Sequence, residues 1–212
     1  MGLVGVSVLV RWLLGWLLGR HILPLPRGQL EQGKAPAVSV LIPARNEART
    51  LPHLLAGLAR QTLAALEVIV IDDHSSDDTA AIAERAALHL PLRVIQPPPL
   101  PEGWCGKTWA LHHGVAASRG AVLVFLDADT EPEPSFLESL VLQQQRLGGL
   151  VSVQPYHRTE RPYEQLSLLF NLVGLLAVPL GPGCGVAFGP AMATPQRLPA
   201  QRRPCRRGRQ GG

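Results

Sequence analysis

Apolar residues recur along this chain in two rhythms. Five short runs show little polar alternation: 38–42 (VSVLI), 68–71 (VIVI), 92–95 (LRVI), 122–126 (VLVFL) and 150–153 (LVSV). Runs of four or five such residues, rich in valine and isoleucine, read as strands buried on both faces. Between them apolar residues return at helical spacing, first at Leu51, Leu54, Leu55 and Leu58, then at Ala110, Leu111, Gly114 and Val115, then at Leu137, Leu140, Val141 and Leu147. Asp77 and Asp78 stand where a further helix would begin and favour its positive end. The alternation predicts an α/β fold, a parallel sheet with helices on both faces.

Two other apolar stretches fall outside this alternation. Residues 1–19 carry one charge, Arg11, among apolar and small residues that include Trp12 and Trp16. As a helix the stretch would be about 28 Å long, just enough to cross a bilayer core of about 30 Å, with Arg11 costing about 2.5–3.5 kcal/mol near mid-span. Arg20, His21 and Arg27 follow it. The expectation is a single-pass anchor over 1–20 in the cell membrane with the remainder on the cytoplasmic side, an interfacial helix being the competing reading. No charged segment leads the run and no A-x-A site follows, which argues against a cleaved signal peptide. Residues 21–37 read as a linker. Residues 162–179 are also apolar, but Glu164, Gln165 and Asn171 interrupt them, so a core helix or one lying on a membrane surface suits them better than a span.

Charge changes this picture little. The formal net charge is +4, yet residues 195–212 hold six arginines and no acid, so the rest of the chain is slightly acidic. The basic balance therefore gives no reason to expect a nucleic-acid partner. Three cysteines without C-x-x-C spacing predict neither a zinc site nor a disulfide framework, and fit a reducing compartment.

Candidate chemistry gathers at the strand ends. In an open parallel sheet, ligands bind outside the carboxyl ends of the strands. Three predicted strands end in polar groups there: Pro43-Ala44-Arg45-Asn46-Glu47, Asp72-Asp73, and Asp127-Ala128-Asp129. Two carboxylates one residue apart suit Mg²⁺ or Mn²⁺ carried in with a phosphate group, the plain alternative being an acidic turn before a helix. Asp73 and Glu47 offer acceptors to a base and ribose. Lys107, flanked by Gly103 and Gly106, offers a positive charge to phosphates. His112 and His113 flank the apolar stripe of their helix and read as ordinary boundary residues. The first strand leads into PARNE and not G-x-G-x-x-G, which disfavours a dinucleotide-binding dehydrogenase. A phosphatase would want LDADT on its first strand, and it lies on the fourth.

At these residues the sequence resembles glycosyltransferase family 2, nucleotide-diphospho-sugar transferases of the GT-A fold. VSVLIPARNE, VIVIDDHSSDDT, GKTWALHHG and VFLDADT follow in that family's order over about 38–155. The resemblance implies that Pro43, Ala44, Arg45 and Glu47 line the nucleotide pocket and that Asp73 meets the base. It places Asp127 near the ribose and sugar, and Mn²⁺ or Mg²⁺ on Asp129. It also implies inversion at the anomeric carbon, with a carboxylate base taking the acceptor's proton. The wording GWCGK at 103–107 resembles a membrane-anchored branch associated with carotenoid- and hopanoid-type lipids, which implies a lipid-type acceptor. The GT-A domain is expected over 38–194. Residues 181–194 (GPGCGVAFGPAMAT) resemble the start of the glycine-rich segment that precedes the family's acidic motif. Beyond Thr194 no acid follows, so the expectation is a truncated or frame-shifted end, a disordered Arg-rich tail over 195–212 and no assignable catalytic base. The alternative is an inactive nucleotide-sugar-binding remnant.

Overall fold

Valine and isoleucine build the centre of the fold. In the computed structural model, strands β1 (Val38–Ala44), β2 (Glu67–Asp72), β3 (Leu92–Ile95) and β4 (Val122–Leu126) pair in parallel, in the order β3-β2-β1-β4. The structure describes residues 25, 28, 30, 35–153 and 190–196, and from residue 28 onward these lie in one unit made of residues 27–155 and 187–212. Val40, Ile42, Val68 and Val70 point to one side of the sheet and Leu41, Ile69 and Ile71 to the other, and all are at most 1% exposed. Helices therefore cover both faces, as the uninterrupted apolar runs predict.

Helices α1 (Leu51–Ala59), α2 (Thr79–Ala86), α3 (Gly106–Ala117) and α4 (Phe136–Leu147) follow β1, β2, β3 and β4 in turn. Leu51, Leu54, Leu55 and Leu58 are the buried stripe of α1, and Leu137, Leu140 and Val141 that of α4. Fully burying one such leucine contributes about 1.5–3 kcal/mol. α3 lies on the Leu41/Ile69/Ile71 face through Ala110, and a Cβ on Gly114 would stand 2.9 Å from Ile71 Cδ1. The glycine inside that helix is there for close approach.

The sheet is mainly parallel, as expected, but one strand runs the other way, which the β-α alternation does not show. A sixth strand, β6 (Ala191–Pro195), inserts antiparallel between β4 and β5 (Val151–Val153), giving the order β3-β2-β1-β4-β6-β5. The sheet is mixed and mostly parallel. AMATP carries no strand pattern of its own. What makes it a strand is the row of unpaired backbone groups on β4, which it matches residue for residue from Val122↔Pro195 to Leu126↔Ala191, with Ala191 and Ala193 buried. The described residues run past Thr194, with the Gln196 amide donating to Ala121 O at 3.0 Å.

At the amino ends of the strands a single buried carboxylate ties the sheet together. Glu67, the first residue of β2, accepts from Ser39 Oγ at 2.7 Å, the Arg119 amide at 2.6 Å, Arg93 Nη2 at 3.3 Å and Arg119 Nε at 3.4 Å. Burial alone would push its pKa up, but the bonds from Ser39, Arg119 and Arg93 outweigh that and hold it below the ordinary glutamate value. Ser39 Oγ in turn accepts from the Gly120 amide at 2.8 Å, and a Cβ on Gly120 would stand 2.5 Å from the Ser39 nitrogen.

Among the described residues no helix is long and apolar enough to cross a membrane. The expected anchor over 1–20, the apolar stretch 162–179 and the tail beyond residue 196 lie outside the described residues.

Candidate functional site

At the carboxyl ends of the strands, the loops after β1 and β2 are bolted to each other. Asn46 and His74 adopt left-handed backbone (φ 57° and 55°), a conformation that asparagine and histidine tolerate better than most residues. Asn46 donates its amide to Ser75 Oγ at 3.0 Å and accepts from the Ser76 amide at 2.8 Å through Oδ1. The Glu47 amide donates to Thr79 Oγ1 at 2.8 Å, and the Ala48 amide to Asp77 Oδ2 at 3.1 Å. Asp77 also accepts from the amide and hydroxyl of Thr79, and these bonds, the hydroxyl's foremost, hold its carboxyl below the ordinary range. The hydroxyls and acids of HSSDDT are therefore mainly a clamp that fixes where residues 43–47 and Asp73 stand.

Between these loops, the start of α3 and the end of β4 lies a cleft of about 360 Å³, lined by Pro43, Ala44, Arg45, Glu47, Asp73, Gly106, Lys107, Ala110, Asp127, Ala128 and Asp129. Pro43, Ala44, Arg45, Glu47, Asp73, Lys107, Asp127 and Asp129, all expected from the sequence, line it, and Asp72 does not. The Asp73 amide is fixed by Ala44 O at 2.9 Å, and its carboxylate meets Arg45 Nη1 at 3.5 Å. Gly106 lets α3 begin against that carboxylate, because a Cβ there would stand 2.8 Å from Asp73 Oδ2. Across the cleft, Lys107 Nζ donates to Asp127 Oδ1 at 2.6 Å.

The turn after β4 presents its two acids by engaging its own backbone. The Asp127 amide donates to Pro190 O at 3.0 Å, while Asp127 O accepts from Thr130 Oγ1 at 2.7 Å and the Thr130 amide at 3.1 Å. Ala128, between the acids, is buried at 4% exposure. The carboxylates of Asp127 and Asp129 are left for the cleft, and Asp129 has no hydrogen-bonding or ionic partner among the described residues. No group of three or more His, Cys, Asp or Glu side chains is poised for a metal among those residues. The pair offers hard oxygen donors that a diphosphate and water would have to complete, a set suited to Mg²⁺ or Mn²⁺.

Other candidates sort differently. Asp72 is buried and accepts from the Ser75 amide at 3.3 Å, so it shapes the loop and does not line the cleft. Asp78 stands at the N-cap of α2 without a side-chain bond to the helix. The carboxylate of Glu47 is bonded by Thr50 Oγ1 at the start of α1. His112 and His113 join Trp104 and Trp109 in a cluster of rings 4.4–5.7 Å apart, with Trp109 Nε1 donating to Pro98 O at 2.9 Å. Asn46, Gly106 and Ala128 stand in the sequence only as neighbours of the candidate residues, with no role assigned to them. The signal for Gly106 was its place beside Lys107 at a helix start, and that for Asn46 was the serines it bonds after β2.

Comparison with known proteins agrees with this architecture. The family model described as Glycosyl transferase family 2 matches residues 39–175. A 4,4'-diaponeurosporenoate glycosyltransferase of Staphylococcus haemolyticus (strain JCSC1435) is 36% identical over 165 residues, covering 73% of this chain and 43% of that protein. The enzyme of the same name from Staphylococcus aureus (strain MRSA252) is 37% identical over 146 residues, 67% of this chain and 38% of that protein. The chain thus spans less than half the length of these curated relatives. Glucosyl-3-phosphoglycerate synthase from Mycobacterium tuberculosis in complex with UDP superposes with a TM-score of 0.54 at 26% identity, over 81% of this chain and 63% of that one. The mannosyltransferase PcManGT from Pyrobaculum calidifontis, in complex with GDP-Man and Mn²⁺, gives a TM-score of 0.57 at 22% identity, over 87% of this chain and 51% of that one, a likeness of fold.

Proposed function

The chain belongs to glycosyltransferase family 2, and from that premise we propose that its cleft seats the nucleoside diphosphate of a sugar donor whose sugar passes to a lipid-type acceptor at a membrane. The observation that carries this reading is the convergence on one cleft of Arg45, Asp73, Asp127 and Asp129, from three separate strand ends, and of Lys107 from the start of α3. Asp73 accepts hydrogen bonds from the base, Pro43, Ala44 and Glu47 wall the nucleoside, and Lys107 faces the phosphates. The uridine diphosphate held by the mycobacterial relative supports a nucleoside diphosphate as the ligand. The lipid-type acceptor rests on the GWCGK segment and on the diaponeurosporenoate relatives, and membrane attachment from the cytoplasmic side on the apolar run at 1–19.

In the proposed reaction the acceptor's hydroxyl oxygen attacks the anomeric carbon from the face opposite the diphosphate. The new carbon–oxygen bond forms as the bond to the β-phosphate oxygen breaks, and configuration inverts. The hydroxyl proton passes to a carboxylate base outside the assigned residues, and the electron pair leaves on the diphosphate. Lys107 stabilises the charge that develops there. Asp127 and Asp129 would hold Mg²⁺ or Mn²⁺, which would offset the charge of that leaving group.

Calorimetric titration of the chain with UDP and with GDP, each with and without Mn²⁺, tests the reading. We expect saturable binding that needs Mn²⁺ and weakens at least tenfold in Asp129→Ala. A folded chain that binds neither nucleotide would refute it.

A further inference from the structure

We infer that Lys107 is a positioning residue that couples arrival of the divalent cation to arrival of the nucleoside diphosphate, holding Asp127 until phosphate oxygens draw its ammonium away. The inference rests on the nucleotide-site reading above. Lys107 Nζ sits 2.6 Å from Asp127 Oδ1, on one of the two carboxylates that would hold the cation. Its backbone is fixed at the first turn of α3, where Gly106 abuts Asp73, but its side chain is 49% exposed. A flexible four-carbon stem can carry the ammonium elsewhere without moving the helix.

The charges lining the cleft hinder the diphosphate, and the Lys107–Asp127 pair hinders the cation. Four carboxylates, Glu47, Asp73, Asp127 and Asp129, face two cations, Arg45 and Lys107. A diphosphate arriving alone meets that excess of negative charge. A divalent cation arriving alone must displace a like charge already paired with Asp127. When both arrive, Lys107 turns from Asp127 to the phosphates and frees the carboxylate, so each ligand removes the other's obstacle. Such coupling is reciprocal by linkage and ordinarily amounts to about 5- to 150-fold. The exposure of the Lys107–Asp127 pair screens it and places the expected value near the low end, about tenfold. Arg49, exposed on the loop after β1 and outside the cleft lining, supplies a control of equal charge.

The test is Mn²⁺ binding by the full chain, followed by the electron paramagnetic resonance signal of free Mn²⁺, without nucleotide and then with saturating UDP. In the wild type, UDP should tighten Mn²⁺ about tenfold or more. Lys107→Met should bind Mn²⁺ alone about tenfold tighter than the wild type and gain less from UDP. Lys107→Arg should keep the wild-type pattern, and Arg49→Met should leave the affinity for Mn²⁺ alone within about twofold. Unchanged or weaker Mn²⁺ binding by Lys107→Met overturns the inference, as does equal tightening in Arg49→Met, which would show a general charge effect. UDP and Mn²⁺ binding with coupling unaltered by Lys107→Met sinks the coupling role alone. A folded wild type that binds no UDP with or without Mn²⁺ refutes the nucleotide-site reading, and this inference with it.

Discussion

The two ends of the central strands carry the same kinds of residue put to opposite ends. At the amino rim, Glu67 is buried and satisfied by Ser39, Arg93 and the Arg119 amide and guanidinium, so its capacity as an acceptor is spent inside the protein. At the carboxyl rim, Asp73 and Asp127 each meet one cation on a half-open cleft, and Asp129 meets none among the described residues. An acid at a strand end is therefore no signature in itself. What separates a structural acid from a binding one is how many of its acceptor sites the fold has already filled.

Substitutions should split along this line. The largest effect on stability is expected from Glu67→Ala, which leaves Ser39 and the Arg119 amide without their acceptor and should cost about 2–3 kcal/mol in chemical denaturation. The affinity of the folded fraction for UDP should stay within about twofold. Asp73→Ala should do the reverse. It removes only a half-exposed ion pair, a loss of under about 1 kcal/mol of stability, while weakening UDP about tenfold. If both variants lose stability alike, the contrast between the rims is wrong. A smaller effect is expected from Gly106→Ala, whose new methyl would push the Asp73 carboxylate aside from 2.8 Å and weaken UDP about threefold with little change in melting temperature. The finest distinction comes from pH. Because the Glu67 pKa is lowered in the folded state, its stabilisation is fully present above the unfolded value of about 4.3 and fades as pH falls through the lower folded value. The stability gap between wild type and Glu67→Gln should thus be flat near neutrality and shrink below about pH 4. A gap that widens on acidification would mean that burial dominates Glu67 instead.

The parallel half of the fold was legible because strands buried on both faces must be apolar throughout, and β1, β2 and β4 write that into VSVLI, VIVI and VLVFL. The cleft was legible for a related reason, since polar residues directly after such strands can only stand at the carboxyl rim. β6 was not legible, because its small residues are recruited by the backbone of β4 and not by their own propensity. Asp72 and Asp73 were indistinguishable as letters. The pleat separates them, sending one carboxylate beneath the loop and the other into the cleft. Glu67 escaped notice because a carboxylate ahead of an apolar run reads as surface, and its donors come from positions 39, 93 and 119, far apart in sequence.

Hydrogen–deuterium exchange on the whole chain, with and without UDP and Mn²⁺, separates a binding rim from a structural one, since it reports on both rims in one experiment. Exchange should slow in 43–47, 73–76, 105–108 and 127–130 and stay unchanged in 66–68 and 117–121. Protection centred on Glu67 and Arg119, or bound nucleotide with no protection at the carboxyl rim, would contradict the contrast between the rims.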